Sequence, residues 1–326
     1  MQSAPEKTSL AGLTSLGIGG PADVVHRPLR AGDAQKILDL ASGDGFRPRI
    51  LGGGTNILVD DEGVRGPVIS TRALTGMFLL PGNRVRAEAG CRLSTLLRRT
   101  AQWGLSGLES LAGIPGTVGG AVVMNAGAGG GAICDAVYGV EAALPGRGLH
   151  RIARAEIPFA YRRSGLQGRL VVAVTFRLNP DAKTSIRRRM REWTDKRRKS
   201  QPLGVKSAGC FFRNAGRVPA GLLIDRAGLK GLRIGGAMIS PIHANFIVNV
   251  GGACSQDVLA LAKIARDAVL GIYGIRLRAE VRYWKSGTRI RIPRETATVQ
   301  VESPGTVEGM ESPVGTARVS GPFSER

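Results

Sequence analysis

Four short stretches carry the side-chain types that move charge or protons. "YRRS", residues 161–164, puts two guanidiniums beside a phenol and a hydroxyl. "SAGCFFRN", 207–214, sets Cys210 among small residues, ahead of two aromatics, Arg213 and Asn214. "RLRAEVRYW", 276–284, places Glu280 between Arg278 and Arg282, and "SPIHANFIVN", 240–249, puts His243 just before an apolar run. A guanidinium can meet negative charge as it develops, while a thiol, carboxyl or imidazole can carry a proton. Each stretch also has a plain structural reading. Tyr161–Arg163 would be solvated surface, Cys210 a small buried hydrophobe, Glu280 an ion pair with a flanking arginine, and His243 a structural histidine. Residue types alone leave both sets of readings open.

Two glycine-rich loops point to a phosphorylated ligand. "LGGGTNILV", 51–59, and "GIPGTVGGAVVMNAGA", 113–128, each follow an apolar run. Glycine lets backbone N–H groups approach a phosphate, and successive N–H groups form an anion nest. Thr55, Asn56, Thr117 and Asn125 add side-chain donors. Two such loops imply more than one phosphate. Neither is a P-loop, since no GK[ST] follows, and neither gives GxGxxG at a strand-to-helix turn. The run after Gly120 reads as a strand, which argues against a Rossmann domain.

The elements that must carry these loops fall into three segments and a tail. Residues 1–75 hold a helix near 33–41 and strands at "RPRIL" and "PVIST". Residues 76–182 hold the alternating "RVRAEAG", a helix over 93–103 and the valine-rich strand 169–178. Residues 183–285 open on the basic helix "KTSIRRRMREWTDKRRK". They continue to a helix whose Val258, Leu261, Ala262, Ala265 and Val269 share one face, with Ser255 as its N-cap, and then to a strand over 276–284. Beyond 285 the composition turns to Ser, Thr, Pro, Gly and Glu without periodicity, so 286–326 reads as a disordered tail.

Composition sets outer limits. The chain has 326 residues, enough for several cores. No apolar run reaches the ~18 residues of a membrane span. The N-terminus lacks the plan of a secretory signal, so a cytoplasmic protein without membrane attachment is expected. Cys91, Cys134, Cys210 and Cys254 are scattered, with no CxxC pair or zinc-ligand spacing, so no metal is expected. The net charge of +21 fits nucleic acid or an acidic small substrate. Arginines recur along most of the chain, which suits a compositional bias better than a nucleic-acid groove.

Taken in order, "GIGGPADVV", "LGGGTNILVDDEGVRGPVI", "GLSGLESLAGIPGTVGGAVVMNAGA", "YRRS", "QPLGVKSAGCFFRN", "AGLKGLRIGGAMISPIHANFIVN" and "GIRLRAEV" resemble the UDP-N-acetylenolpyruvoylglucosamine reductase (MurB) family over about residues 8 to 284. The short spacing around "YRRS" resembles the type that lacks an extra substrate loop. The resemblance implies an α+β fold, with a two-subdomain FAD-binding module of the vanillyl-alcohol-oxidase (PCMH) type over 1–75 and 76–182. A smaller α/β substrate-binding domain would follow over 183–285. It further implies non-covalent FAD, NADPH as co-substrate, a nucleotide-sugar substrate, no nucleic acid and a monomer. Hydride would pass from flavin N5 to the enolpyruvyl group.

The same resemblance assigns residues. Gly52, Gly53, Gly54, Thr55 and Asn56 would hold the cofactor with Ile114, Pro115, Gly116, Thr117, Gly119, Gly120, Asn125, Ala126 and Gly127. Arg162 and Glu280 take the family's catalytic positions, and Cys210 stands where the family has its proton-donating serine. Tyr161, Arg213, Asn214 and His243 would bind substrate, with Lys199 and the arginines before it as weaker candidates for its diphosphate. A thiol can replace the hydroxyl, although Lys206 and Arg213 nearby would favour thiolate. The arginines flanking Glu280 would hold it ionised. Gly129 stands where the family usually has an aromatic after "NAGA", which leaves that contact missing or supplied elsewhere. Two other readings share parts of this pattern: another flavin oxidase or dehydrogenase of the same fold, and a basic nucleic-acid binder.

Overall fold

The computed structural model describes residues 7–43, 45 and 47–287; most of the tail expected over 286–326 lies outside them. Three main sheets and their helices build an α+β architecture. The first sheet runs Thr8–Ser9, Pro21–His26, Val64–Ser70, Arg49–Leu51. Its last three strands are parallel, and the helix Ala31–Gly43 makes the crossover. Ala34, Leu38 and Ala41 bury one side of that helix, a spacing of about one turn.

The second sheet is a five-stranded antiparallel array in the order Gly148–Ala153, Val137–Leu144, Leu170–Arg177, Arg84–Glu88, Met77–Leu80. Leu170–Arg177 is its middle strand, and buried side chains run almost unbroken along it, as the valines foretell. The helix Leu93–Gln102 buries Leu93, Leu96, Leu97, Thr100 and Ala101, an i, i+3, i+4, i+7, i+8 stripe, and its three leucines join the same core as that strand.

The third sheet is antiparallel, in the order Ser207–Cys210, Phe246–Asn249, Ala237–Ile239, Arg233–Ile234. The helix Ser255–Tyr273 packs on it through the apolar face seen in the sequence and ends at Gly274, φ 66°.

Several sequence expectations need correction. Val118–Val123 is a short helix, although its valines suggest a strand. The Rossmann exclusion is kept by a different fact, the antiparallel sheet beneath it. The N-cap of the last helix is Cys254; Ser255 lies inside the helix and donates from both N and Oγ to Asp61 Oδ2, each at 2.7 Å. Only Arg282–Trp284 of the 276–284 run is a ladder strand, and it pairs in parallel with Ile57–Val59 of the first segment. The basic helix Lys183–Ser200 packs Met190 and Trp193 against the second core, so a boundary at 183 separates it from the elements it touches. Among the described residues no helix is long and apolar enough to cross a membrane, and no group of three or more His, Cys, Asp or Glu could hold a metal.

Candidate active site

The two glycine loops meet. A Cβ on Gly53 would lie 2.8 Å from Gly116 Cα, and one on Gly116 would lie 2.9 Å from Thr55 Oγ1. Gly54 and Gly116 have φ of 68° and 116°, so the bends need glycine twice over, for conformation and for close approach. Arg72 braces the first loop. Its Nη2 donates to Leu13 O and Gly53 O at 2.7 and 2.9 Å, and its Nε to Gly52 O at 3.2 Å. Those bonds engage the loop's carbonyls, which suits a loop expected to meet an anion through its amides. Arg72 was not legible in the sequence, because its partners are carbonyls brought to it by the fold.

Both loops line one cavity of about 540 Å³. Gly52, Gly53, Gly54, Thr55, Asn56, Ile114, Pro115, Gly116, Thr117, Gly120, Ala126 and Gly127 are in its wall. FAD fits this site on two observations. The cradle is built of closely apposed backbone, since side chains on Gly52 and Gly53 would strike Thr117 Oγ1 and Gly116 Cα at 2.8 Å each, and Thr117 Oγ1 is buried there without a hydrogen-bond partner.

Three of the expected cofactor residues serve other ends. Gly119 is outside the cavity wall, since a Cβ there would lie 2.7 Å from Ala89 Cβ and only glycine allows that packing. Asn125 is also outside it. Its Nδ2 donates to Ala160 O at 3.0 Å and its Oδ1 accepts from Cys134 N at 3.3 Å. Asn56 lines the cavity, but its Nδ2 donates to Glu280 O at 3.3 Å, and its own carbonyl accepts from Arg282 N at 3.1 Å.

Asn125 thereby holds the turn that carries Arg162. Ala160 and Arg163 exchange both backbone hydrogen bonds, at 2.8 and 3.0 Å, across Tyr161 and Arg162. Arg162 sits at φ 56°, a left-handed conformation that costs a non-glycine residue about 1–3 kcal/mol. Ser164 Oγ secures the exit from this turn on Val123 O at 2.8 Å. The Arg162 guanidinium lies over the Tyr161 ring, 5.1 Å from its centroid. Arg162 Nε is 3.1 Å from Glu280 Oε1, an ion pair in which the N–H is not aimed along the line between them.

A second cavity, of about 330 Å³, lies on the other side of this pair. Tyr161, Asn214 and His243, the residues expected to meet substrate, are in its wall. Lys230 and Asp225, ion-paired at 2.7 Å, stand there too and carried no recognised sequence signal. His243 Nδ1 accepts from Asn245 N at 3.2 Å, and burial lowers its pKa, so a neutral ring keeps its proton on Nε2. Arg213 is in neither wall, contrary to its expected substrate role. Its backbone N donates to Arg278 O, and its charge acts on Glu280. Lys199 is in neither wall, whereas Arg197 reaches the larger cavity, fixed on Ala112 O and Ser110 O at 2.7 and 2.9 Å.

Three residues line both cavities: Arg162, Cys210 and Glu280. Their electrostatics differ from the sequence expectation. Burial pushes the Cys210 thiol up to about 12; Glu280 adds to the rise, while Arg162, the Asn245 side chain and Arg197 oppose it. Lys206 and Arg213 are not among the groups that set it, so Cys210 stays a thiol near neutrality. Burial also raises Glu280, against the pull of Arg162 and Arg213. The flanking Arg278 and Arg282 are not among the charges that act on it. All four cysteines are free.

This site has close relatives. Residues 21–152 match a family model described as FAD binding domain, and residues 201–284 match the C-terminal domain of UDP-N-acetylenolpyruvoylglucosamine reductase. The chain is 42% identical to the UDP-N-acetylenolpyruvoylglucosamine reductase of Moorella thermoacetica, over 84% of this chain and 91% of that one. It is 41% identical to UDP-N-acetylenolpyruvoylglucosamine reductase 2 of Symbiobacterium thermophilum, over 83% and 89% of the two chains. The crystal structure of the Thermus caldophilus reductase superposes with a TM-score of 0.74 at 41% identity, covering 86% of this chain and 98% of that one. Such identity across both halves, joined to a cradle for FAD that shares three lining residues with a second cavity, means that this chain belongs to the UDP-N-acetylenolpyruvoylglucosamine reductase family.

Proposed function

We propose that the chain reduces the enolpyruvyl ether of UDP-N-acetylglucosamine enolpyruvate to UDP-N-acetylmuramate, a step of peptidoglycan precursor synthesis, with NADPH as reductant and FAD bound non-covalently. One observation carries this reading: the three side chains suited to the chemistry are those shared by the cofactor cradle and the second cavity.

Gly52–Asn56 and Ile114–Thr117 would hold FAD, which when bound would supply the hydride for the terminal carbon of the enolpyruvyl group. Negative charge then grows on the adjacent carbon and spreads into its carboxylate. Arg162 meets that charge from a turn that fixes its guanidinium before the substrate arrives. Cys210 delivers the proton to that carbon. A thiol this weak is fully protonated at working pH, and a carbanion is a far stronger base than the thiolate left behind. Glu280 holds Arg162 and, when protonated, can return a proton to the site. Tyr161, Asn214 and His243 bind the nucleotide sugar, with His243 donating from Nε2. One chain provides every residue of the junction, so a monomer suffices, and the reading needs no nucleic acid.

The test is anaerobic. NADPH should bleach the bound flavin, and the enolpyruvyl nucleotide should then restore its absorbance with formation of the muramate. A bleached flavin that the nucleotide does not reoxidise would favour another flavoenzyme of this fold.

A further inference from the structure

The segment that carries Cys210 is held in an unusual way. Its strand, Ser207–Cys210, pairs with Phe246–Asn249, but the register slips between Ser207 and Cys210, where Gly209 has φ 77°. A slip leaves ladder groups without their regular partners. Asn245 supplies the replacements. Its carbonyl accepts from Phe211 N at 2.7 Å, its Oδ1 accepts from Phe212 N at 2.9 Å, and its Nδ2 donates to Phe212 O at 2.8 Å. The residue is 2% exposed and contributes to the wall of the smaller cavity.

The opposite edge of the same segment holds the carboxylate strand. Phe211 O accepts from Glu280 N at 2.8 Å, and Arg213 N donates to Arg278 O at 2.9 Å. Phe212 also forms a bridge with Ala279. Cys210 and Glu280 are therefore registered against each other through residues 211–213, with Asn245 gripping the far side.

We propose that Asn245 is a positioning residue for the proton-transfer step: its amide clamps the Phe212 peptide and thereby sets the Cys210 thiol relative to Glu280. This deepens the reductase reading and rests on it. In the step concerned, the Cys210 S–H bond breaks and its proton joins the substrate carbon that bears the ether oxygen and the carboxylate. The hydride equivalent, which NADPH provides through FAD, reaches the neighbouring carbon. Water returns a proton to the thiolate. The Asn245 side chain also favours the thiolate, which eases the moment after transfer.

The experiment separates the half-reactions in FAD-loaded wild type, Asn245→Ala and Asn245→Asp. Bleaching by NADPH should stay within about twofold in each. Reoxidation by the enolpyruvyl nucleotide should slow by roughly 10- to 100-fold in Asn245→Ala, the scale of a ~1 Å misplacement, with a larger solvent deuterium isotope effect. Asn245→Asp keeps the acceptor for Phe212 N and should recover part of that loss; it also serves if the alanine variant does not fold. Unchanged reoxidation would overturn the proposal. Parallel loss of both half-reactions would overturn it as well, in favour of a merely structural role. If the wild type itself is not reoxidised, the reductase reading fails; if only the variants behave like wild type, this inference alone fails.

Discussion

Arg162 Nε and Glu280 Oε1 stand 3.1 Å apart where the two cavities share a wall. The arginine comes from the connection between the strands Gly148–Ala153 and Leu170–Arg177, the glutamate from an extended run near the end of the described chain. Neither partner is fully exposed, with 24% and 14% of their side-chain surfaces open. Removing the carboxylate charge takes the ionic partner from Arg162 and leaves its guanidinium held only over the Tyr161 ring. Glu280→Gln should therefore retain FAD and bleach with NADPH, yet be reoxidised by the nucleotide about 10²–10⁴-fold more slowly, the range for a lost acid–base group. Stopped-flow absorbance of the two half-reactions reads this directly.

Cys210 gives a prediction with a definite pH sign. An ordinary thiol ionises near 8.5, and a donor of that strength would lose activity as pH rises through that value. Burial places this thiol at about 12, so it remains protonated well into the alkaline range. Reoxidation should accordingly show no decline near pH 8.5 that is attributable to Cys210, and Cys210→Ser should follow the same profile. Cys210→Ala should keep bleaching and slow reoxidation by about 10²–10⁴-fold. An alkaline limb near 8.5 that vanishes in Cys210→Ser would show that the thiol is not held up.

Asn125 separates two assignments. As a cofactor donor, its loss would weaken FAD retention. Its hydrogen bonds instead run to Ala160 O and from Cys134 N, at 6% exposure, so its loss should unfix the Arg162 turn. Asn125→Ala should bind FAD within a few-fold of wild type, lose about 1–3 kcal/mol of stability, and slow reoxidation more than bleaching. Thermal denaturation, FAD fluorescence and the two half-reaction rates together make the distinction.

The parts of this site that were legible in the sequence are those with local signatures. The glycine loops betray themselves by composition, and Arg162, Cys210 and Glu280 by motifs in a fixed order. The amphipathic helices over 93–102 and 255–273 follow from their spacing. What escaped depends on distant partners. Asn125 acts on a residue 35 positions away, and Asn245 on one 33 away. Arg72 binds carbonyls that only the fold assembles. Val118–Val123 reads as a strand because valine favours extended backbone, but burial against the middle strand of the second sheet lets a short helix persist there. The raised pKa of Cys210 was equally hidden, since desolvation depends on what surrounds a group rather than on its neighbours in sequence.

Gly129 and Trp193 make the last test a steric one. At Gly129, φ is 62° and a Cβ would lie 2.0 Å from Trp193 Cη2 and 2.3 Å from Cζ3. The indole, from the basic helix, thus occupies the space that a side chain at 129 would need, and Trp193 packs against the second core from there. Gly129→Ala should cost about 1–2 kcal/mol for its left-handed backbone, plus the displacement of a ring. Trp193→Ala opens a gap and should cost about 3–5 kcal/mol if the gap does not collapse. Combined, the two should cost clearly less than their sum, because the second change removes the clash made by the first. Denaturant melts of the four proteins measure that coupling. Strict additivity would mean that the ring and residue 129 do not compete for one space.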